Sequence, residues 1–315
     1  MTHGMGENTV KNENYYRNLR TPVGRIDVVI DTDTFNEIDD QFALAYLLAS
    51  SDKLNLKEIY AAPFFNHHSK SPRDGMERSY EEILRLLELT GKQEYISLTY
   101  KGSERFLLDE KTPVHSDAAQ KMIKLAANYD EKNPLYVIAI GALTNVASAL
   151  LLKPEIADRI VVVWLGGNSR EYHDTWEFNM YQDIAAARVV FASGAPVVQL
   201  PCFGVVSSFA VSFVELECHL AGKNKLCDFL VDRVRNELSL FGEMKAPSRV
   251  LWDVAAVAWL LNEDDCFMLS RLTSVPIPEY DHQYSYDISR EMRYVYYIKR
   301  DELVGDLFEK LETIY

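Results

Sequence analysis

Short runs of β-branched and other apolar residues alternate along this chain with longer stretches of helical hydrophobic period. The strand-like runs are 27–30, 56–61, 135–140, 160–165 and 197–200. The helical stretches are 42–48, 79–89, 118–127, 143–151, 183–192, 225–240 and 254–261. Strands that are apolar almost throughout, separated by helices, predict an α/β fold: an open, mostly parallel, Rossmann-like sheet with helices on both faces. The first helix, 42–48, is expected to be amphipathic. Gly91 and Gly194 stand where a helix C-terminus favours glycine. From about Val275 the texture changes. Tyr280, Tyr284, Tyr286, Tyr294, Tyr296 and Tyr297 predict a strand pair, and 303–314 a closing helix. Together they make a small antiparallel C-terminal appendage. No repeat and no Pro/Gly/Ser-rich linker divides the chain, so residues 25–315 are expected to form one domain. Residues 1–24 are polar and expected to be a loose tail.

Polar residues collect where these elements end. The first strand runs into Asp31-Thr32-Asp33, a loop Thr34-Phe35-Asn36-Glu37-Ile38 follows, and Asp39-Asp40 opens the first helix. Clustered carboxylates repel one another and need a compensating charge. A hard cation held through oxygen ligands, Ca²⁺ or Mg²⁺, supplies it. The plainer reading of Asp39 and Asp40 is a helix cap. In an open parallel sheet, ligands bind beyond the carboxyl ends of the strands. That rule directs three further segments to the same place: Ile140-Gly141-Ala142-Leu143-Thr144-Asn145, Gly166-Gly167-Asn168 with the later Trp176-Glu177-Phe178-Asn179, and Leu251-Trp252-Asp253. Asp253 is either a cap or a third carboxylate ligand. Glu177 and Asn179 flank Phe178, so an extended backbone would point both the same way. Trp176 and Trp252 suit core or pocket wall. His67 and His68 lack the third nitrogen or sulfur ligand that zinc would need, and His115 fits a helix start.

Composition narrows the partners. The net charge of −14 disfavours nucleic acid or an anionic membrane. The four cysteines show no Cys-x-x-Cys spacing and read as reduced, mostly buried thiols. No run of about 18 apolar residues predicts a membrane span. The first 24 residues lack the apolar core of a signal peptide, so a cytoplasmic location is expected by default.

Four of these motifs, in order, resemble the signature of the inosine–uridine-type nucleoside hydrolases. They are Asp31-Thr32-Asp33…Asp39-Asp40 before an Ala/Leu helix, Gly141-Ala142-Leu143-Thr144-Asn145, Glu177-Phe178-Asn179, and Asp253 before Ala255-Ala256-Val257. The resemblance implies a Ca²⁺-dependent N-ribohydrolase acting on a small-molecule nucleoside, assembled as a homo-oligomer, dimer or tetramer. It places Asp33, Asp40, Asp253 and the Ile140 carbonyl on the ion, with Asp33 also as general base. Asp39, Asn179 and Glu177 would hold the ribose, Asn66 matches the family's Asn after the second strand, and Asn168 stands in for an Asn that is Glu171 here. The chemistry agrees: cleaving an N-glycosidic bond builds positive charge on the ribose, which a ring of carboxylates favours. Two departures stand out. The loop between Asp33 and Asp39 is longer than the family's, and Trp252 occupies the position where many members carry a histidine that protonates the leaving base. Another acid is then expected, from among His67, His68, His115 and His173. Alternatively, Trp252 stacks on a base that leaves with little help. Two rival readings remain. One is a haloacid-dehalogenase-type Mg²⁺ phosphatase with Asp31 as nucleophile in Asp31-Thr32-Asp33-Thr34. The other is a nucleoside-binding protein without turnover.

Overall fold

The structure is a computed structural model that describes residues 13–240, 242, 244–286 and 289–314. The expected elements are present. They run β1 (Ile26–Thr32), α1 (Asp39–Ala49), β2 (Leu54–Ala61), α2 (Pro72–Leu89), β3 (Thr99–Lys101), α3 (Asp117–Ala126), β4 (Leu135–Ala139), α4 (Thr144–Leu152), β5 (Ile160–Leu165), α5 (Phe178–Gln182), α6 (Ile184–Ala192) and β6 (Val197–Leu200). Then follow β7 (Ala210–Ser212), α7 (Phe213–Leu220), α8 (Lys225–Ser239), β8 (Ser248–Val250), α9 (Val254–Leu261), β9 (Met268–Ser274), β10 (Ile277–Pro278), β11 (Tyr284–Ser285), β12 (Glu291–Ile298) and α10 (Arg300–Glu312).

The main sheet has eight strands in the order β3-β2-β1-β4-β5-β6-β12-β9. All neighbours are parallel except the outer pair β12–β9. The tyrosine-rich C-terminal segment therefore extends the main sheet with its own antiparallel edge, and only β10–β11 stands apart as a small antiparallel pair. A second such pair, β7–β8, was not foreseen. Side chains alternate between two cores, as a strand period of two requires. Val28, Ile30 and Ile138 face one with α1 and α9. Val29, Val137 and Ala139 face the other with α4 and α6.

Helix α1 differs from the amphipathic expectation. Every residue from Asp39 to Leu48 is buried, because α9 and α10 cover the side that would otherwise meet water. Between Asn14 and Leu19 the polar segment expected as a tail packs on the domain: 13–18 are helical, Leu19 is fully buried, and Asn18 donates to the Glu131 carbonyl. Residues 1–12 of that expectation lie outside the described residues. Cys202 and Cys227 are buried, whereas Cys218 is exposed. Among the described residues no helix is long and apolar enough to cross a membrane.

The strand order fixes where a ligand sits. The chain winds outward from β1 through β2 to β3, then returns to place β4 on the other side of β1. Connections diverge between the carboxyl ends of β1 and β4, which opens a crevice there. The Ile140 amide donates to the Asp31 carbonyl at 2.9 Å, so the two strand ends leave the sheet together.

Candidate active site

The carboxylates gather at this crevice. Asp31 ends β1, Asp33 follows in the loop, Asp39 and Asp40 form the first turn of α1, and Asp253 precedes α9. Ligand atoms of Asp39, Asp40 and Asp253 lie within 4.8 Å of one another. The capping explanation fails for all three. The N-cap of α1 is Ile38, and Asp253 makes no side-chain cap bond. Asp39 Oδ2 instead accepts from the Asp253 amide at 3.3 Å, and Asp40 Oδ1 accepts from the Thr32 hydroxyl at 2.6 Å. Asp33 adjoins the three and is fully buried with neither carboxyl oxygen hydrogen-bonded. Gly141 allows it in: a Cβ there would lie 3.0 Å from Asp33 Oδ1.

Burial raises every carboxyl in this group. Asp33 is pushed well above the usual carboxylate range, by desolvation first and then by the charge of Asp40. Asp39 rises to about 8 and Asp40 to about 7, again through burial. Asp253 rises for the same reason, with Asp39 and Asp40 as the next causes. Four crowded acids, Asp33 among them with both oxygens unbonded, fit a hard divalent cation, since an added positive charge stabilises them as anions.

The site opens into a cavity of about 260 Å³. Asp39 and Asp253 reach its wall, while Asp33 and Asp40 lie deeper. Glu177, Asn179 and Trp252 also line it, as expected. Glu177 caps the short α5, accepting from the amides of Asn179 and Met180 and, at 2.7 Å, of Gly167. Asn179 Nδ2 donates to the carbonyls of Ile140 and Leu165, both at 3.1 Å, and its Oδ1 is left without a partner. Ile140 lines the cavity, and its carbonyl accepts from Asn179.

Two expected contacts are placed elsewhere. Asn168 does not reach the cavity: its amide donates to the carbonyls of Asp174 and Trp176 and accepts from the Phe203 amide. Asn66 donates to Asn36 Oδ1 at 2.6 Å and so braces the long loop rather than facing the cavity. Glu171 points outward toward Arg271. No histidine among the described residues lines the cavity. His67, His68, His115 and His173 are exposed. Asp31 is sealed behind the site, raised to about 7 by burial and bonded at 2.8 Å by Asn145 Nδ2. The phosphatase reading, which rests on Asp31, leaves the gathering of Asp39, Asp40 and Asp253 unexplained.

Sequence reasoning missed Arg249, Cys202 and Phe203, all in the cavity wall. Arg249 sits on β8 and pairs with Glu37 of the long loop and with Glu237 of α8. Phe203 meets Trp252 edge-on, centroids 5.5 Å apart, and stacks on Tyr172 beyond it.

Comparison with known proteins identifies the family. The profile of the family described as inosine-uridine preferring nucleoside hydrolase matches residues 28–293. The pyrimidine-specific ribonucleoside hydrolase RihA of Salmonella enteritidis is 28% identical over 265 residues, covering 75% of this chain and 80% of that protein. Two solved structures share the fold. A plant nucleoside hydrolase, PpNRh1, aligns with a TM-score of 0.73 at 18% identity over 91% of this chain and 99% of its own. A purine-preferring ribonucleoside hydrolase from Gardnerella vaginalis aligns with a TM-score of 0.70 at 20% identity over 91% and 98%. With the profile spanning most of the sequence and its motifs meeting at one crevice, the chain belongs to the inosine-uridine preferring nucleoside hydrolase family, glycosidases that cleave the N-glycosidic bond of ribonucleosides.

Proposed function

We propose that this protein hydrolyses ribonucleosides to free base and ribose with a Ca²⁺ ion seated among Asp33, Asp40, Asp253 and the Ile140 carbonyl. The observation that carries the reading is the Asp33 carboxyl: buried, unbonded, and crowded by Asp40 at the switch point of the sheet. When bound, the ion supplies a hard Lewis acid that acidifies water and favours ordered ribose hydroxyls. Asp33 takes the proton of the attacking water. Its raised affinity for protons suits a general base that must accept one. Asp39 faces the cavity and holds a ribose hydroxyl, while Asn179 Oδ1 and Glu177 hold the sugar from the opposite wall. The carboxylates favour the positive charge that develops on the ribose as the bond to the base breaks. Trp252 and Phe203 offer the base an aromatic surface.

Both pyrimidine-specific and purine-preferring enzymes are among the relatives, so the assay takes a panel. Each nucleoside, and separately a phosphomonoester, is incubated with the protein with and without chelator. Free base released only without chelator supports the reading. Inorganic phosphate would point to a phosphatase, and binding without product to a nucleoside-binding protein.

A further inference from the structure

Trp252 stands in the cavity wall beside Asp253, and no histidine, lysine or tyrosine among the described residues lines the cavity. Cys202 is no substitute, because burial and the neighbouring Glu177 push its thiol up, away from donating. Glu177 accepts from three backbone amides, an acceptor's role that suits a sugar hydroxyl rather than a departing base. The departing base still carries away an electron pair, and something must stabilise it.

One cationic side chain lines the cavity among the described residues, and it is Arg249. It lies three residues before Trp252, in register with Val211 across the β7–β8 pair. Its side chain is only 17% exposed. Glu37 holds Nη2, and Glu237 lies 3.1 Å from Nη1. Nε is buried with no acceptor. A guanidinium carries five N–H donors in a rigid fork, so these two carboxylates fix its position without using its capacity. The aromatic wall of Trp252 and Phe203 borders the same cavity.

We infer that Arg249 is the leaving-group residue of this enzyme: it stabilises the departing base by charge and hydrogen bonding, in place of a proton-donating histidine. The inference rests on the hydrolase reading above. The C1′–N bond breaks with its electron pair passing to the base nitrogen. The water oxygen bonds to C1′ as its proton passes to Asp33. The base, held as an anion by the guanidinium, takes a proton from solvent, and Asp33 returns its own to solvent. Arginine stays charged throughout, so no proton leaves it.

The test varies the leaving group. Arg249→Gln is compared with the unaltered protein on a purine nucleoside, a pyrimidine nucleoside and 4-nitrophenyl riboside, whose phenolate leaves without help. The expected result is a loss of about 10²-fold in kcat/KM on the nucleosides, the scale of one lost transition-state donor, with 4-nitrophenyl riboside within threefold. Arg249→Lys, which keeps a single charge but loses the fork, gives the same contrast more weakly and stands in should the glutamine variant fail to fold. Equal losses on all three substrates would make Arg249 merely a structural latch and overturn the inference, as would no loss on any. If the unaltered protein cleaves none of them, the hydrolase reading itself falls, a result distinct from either.

Discussion

At the scale of single residues, the site sets carboxyls that burial keeps protonated against a proposed reaction that needs them ionised. Asp33 shows this most clearly, having no hydrogen bond to offset its burial. Asp33→Asn removes both the base and one repulsive charge. It is expected to fold normally and to lose at least 10²–10⁴-fold in kcat/KM, the usual contribution of a general base. Steady-state kinetics beside circular dichroism measures both, and retention of more than about a tenth of the activity would contradict the role. Trp252→His places an imidazole next to Asp253. It is expected to raise turnover on inosine or uridine relative to 4-nitrophenyl riboside, and an unchanged ratio in a folded protein would argue against a missing acid. That the carboxylates, Glu177 and Asn179 would gather at one crevice was legible in the sequence, because polar side chains interrupt apolar runs at strand and helix ends. Arg249 was not: its strand is three residues long and its neighbours carry no period. Asn66 and Asn168 read as ligand contacts because a side-chain amide looks the same whether it serves backbone or substrate.

At the scale of elements, the junction of β1 with α1 carries the electrostatic cost and Asn145 carries the bracing. Asn145 donates to Asp31 Oδ1 and to the Ala61 carbonyl, and its Oδ1 accepts from the Ser103 amide and hydroxyl. It ties β1, β2 and the segment after β3 together. Gly102 is required for the approach, since a Cβ there would lie 2.0 Å from the Ala61 carbonyl oxygen. Asn145→Ala strands these buried groups and is expected to cost about 1–3 kcal/mol in urea unfolding. A change within a few tenths would contradict the bracing role.

The same junction predicts a pH dependence. Asp31 and Asp40 titrate near 7 and Asp39 near 8 in the folded chain, against about 3.9 unfolded. Between these limits the folded state binds more protons, so stability falls as pH rises. Metal-free protein should therefore lose Tm from pH 5 to pH 8. Glu215, held to about 2 by Arg300, acts only below this window. Added Ca²⁺ competes with the protons, and its stabilisation should grow over the same range. A chelated protein whose Tm rises from pH 5 to pH 8 would refute this assignment of charge.

At the scale of the whole molecule, the parallel sheet was legible because its central strands are apolar on both faces and its helices long. The edge was less so. β3, β7 and β8 have three residues each, too few to show alternation, and the tyrosines of β12 gave no sign that this strand would join β6 in parallel. The same wrapping explains why α1 is buried all round: the chain returns twice, as α9 and α10, to cover it. The return through α9 also delivers Asp253 from a point 213 positions beyond Asp40. The site thus exists only when the whole sheet is assembled, and in the proposed reading a bound cation balances its charge. The most direct test is base release by chelator-stripped protein titrated with Ca²⁺. The account predicts no turnover without the ion and full recovery along a single-site saturation curve, with Asp253→Asn needing far more Ca²⁺. Base release that persists in chelator, or that ignores added Ca²⁺, would contradict it.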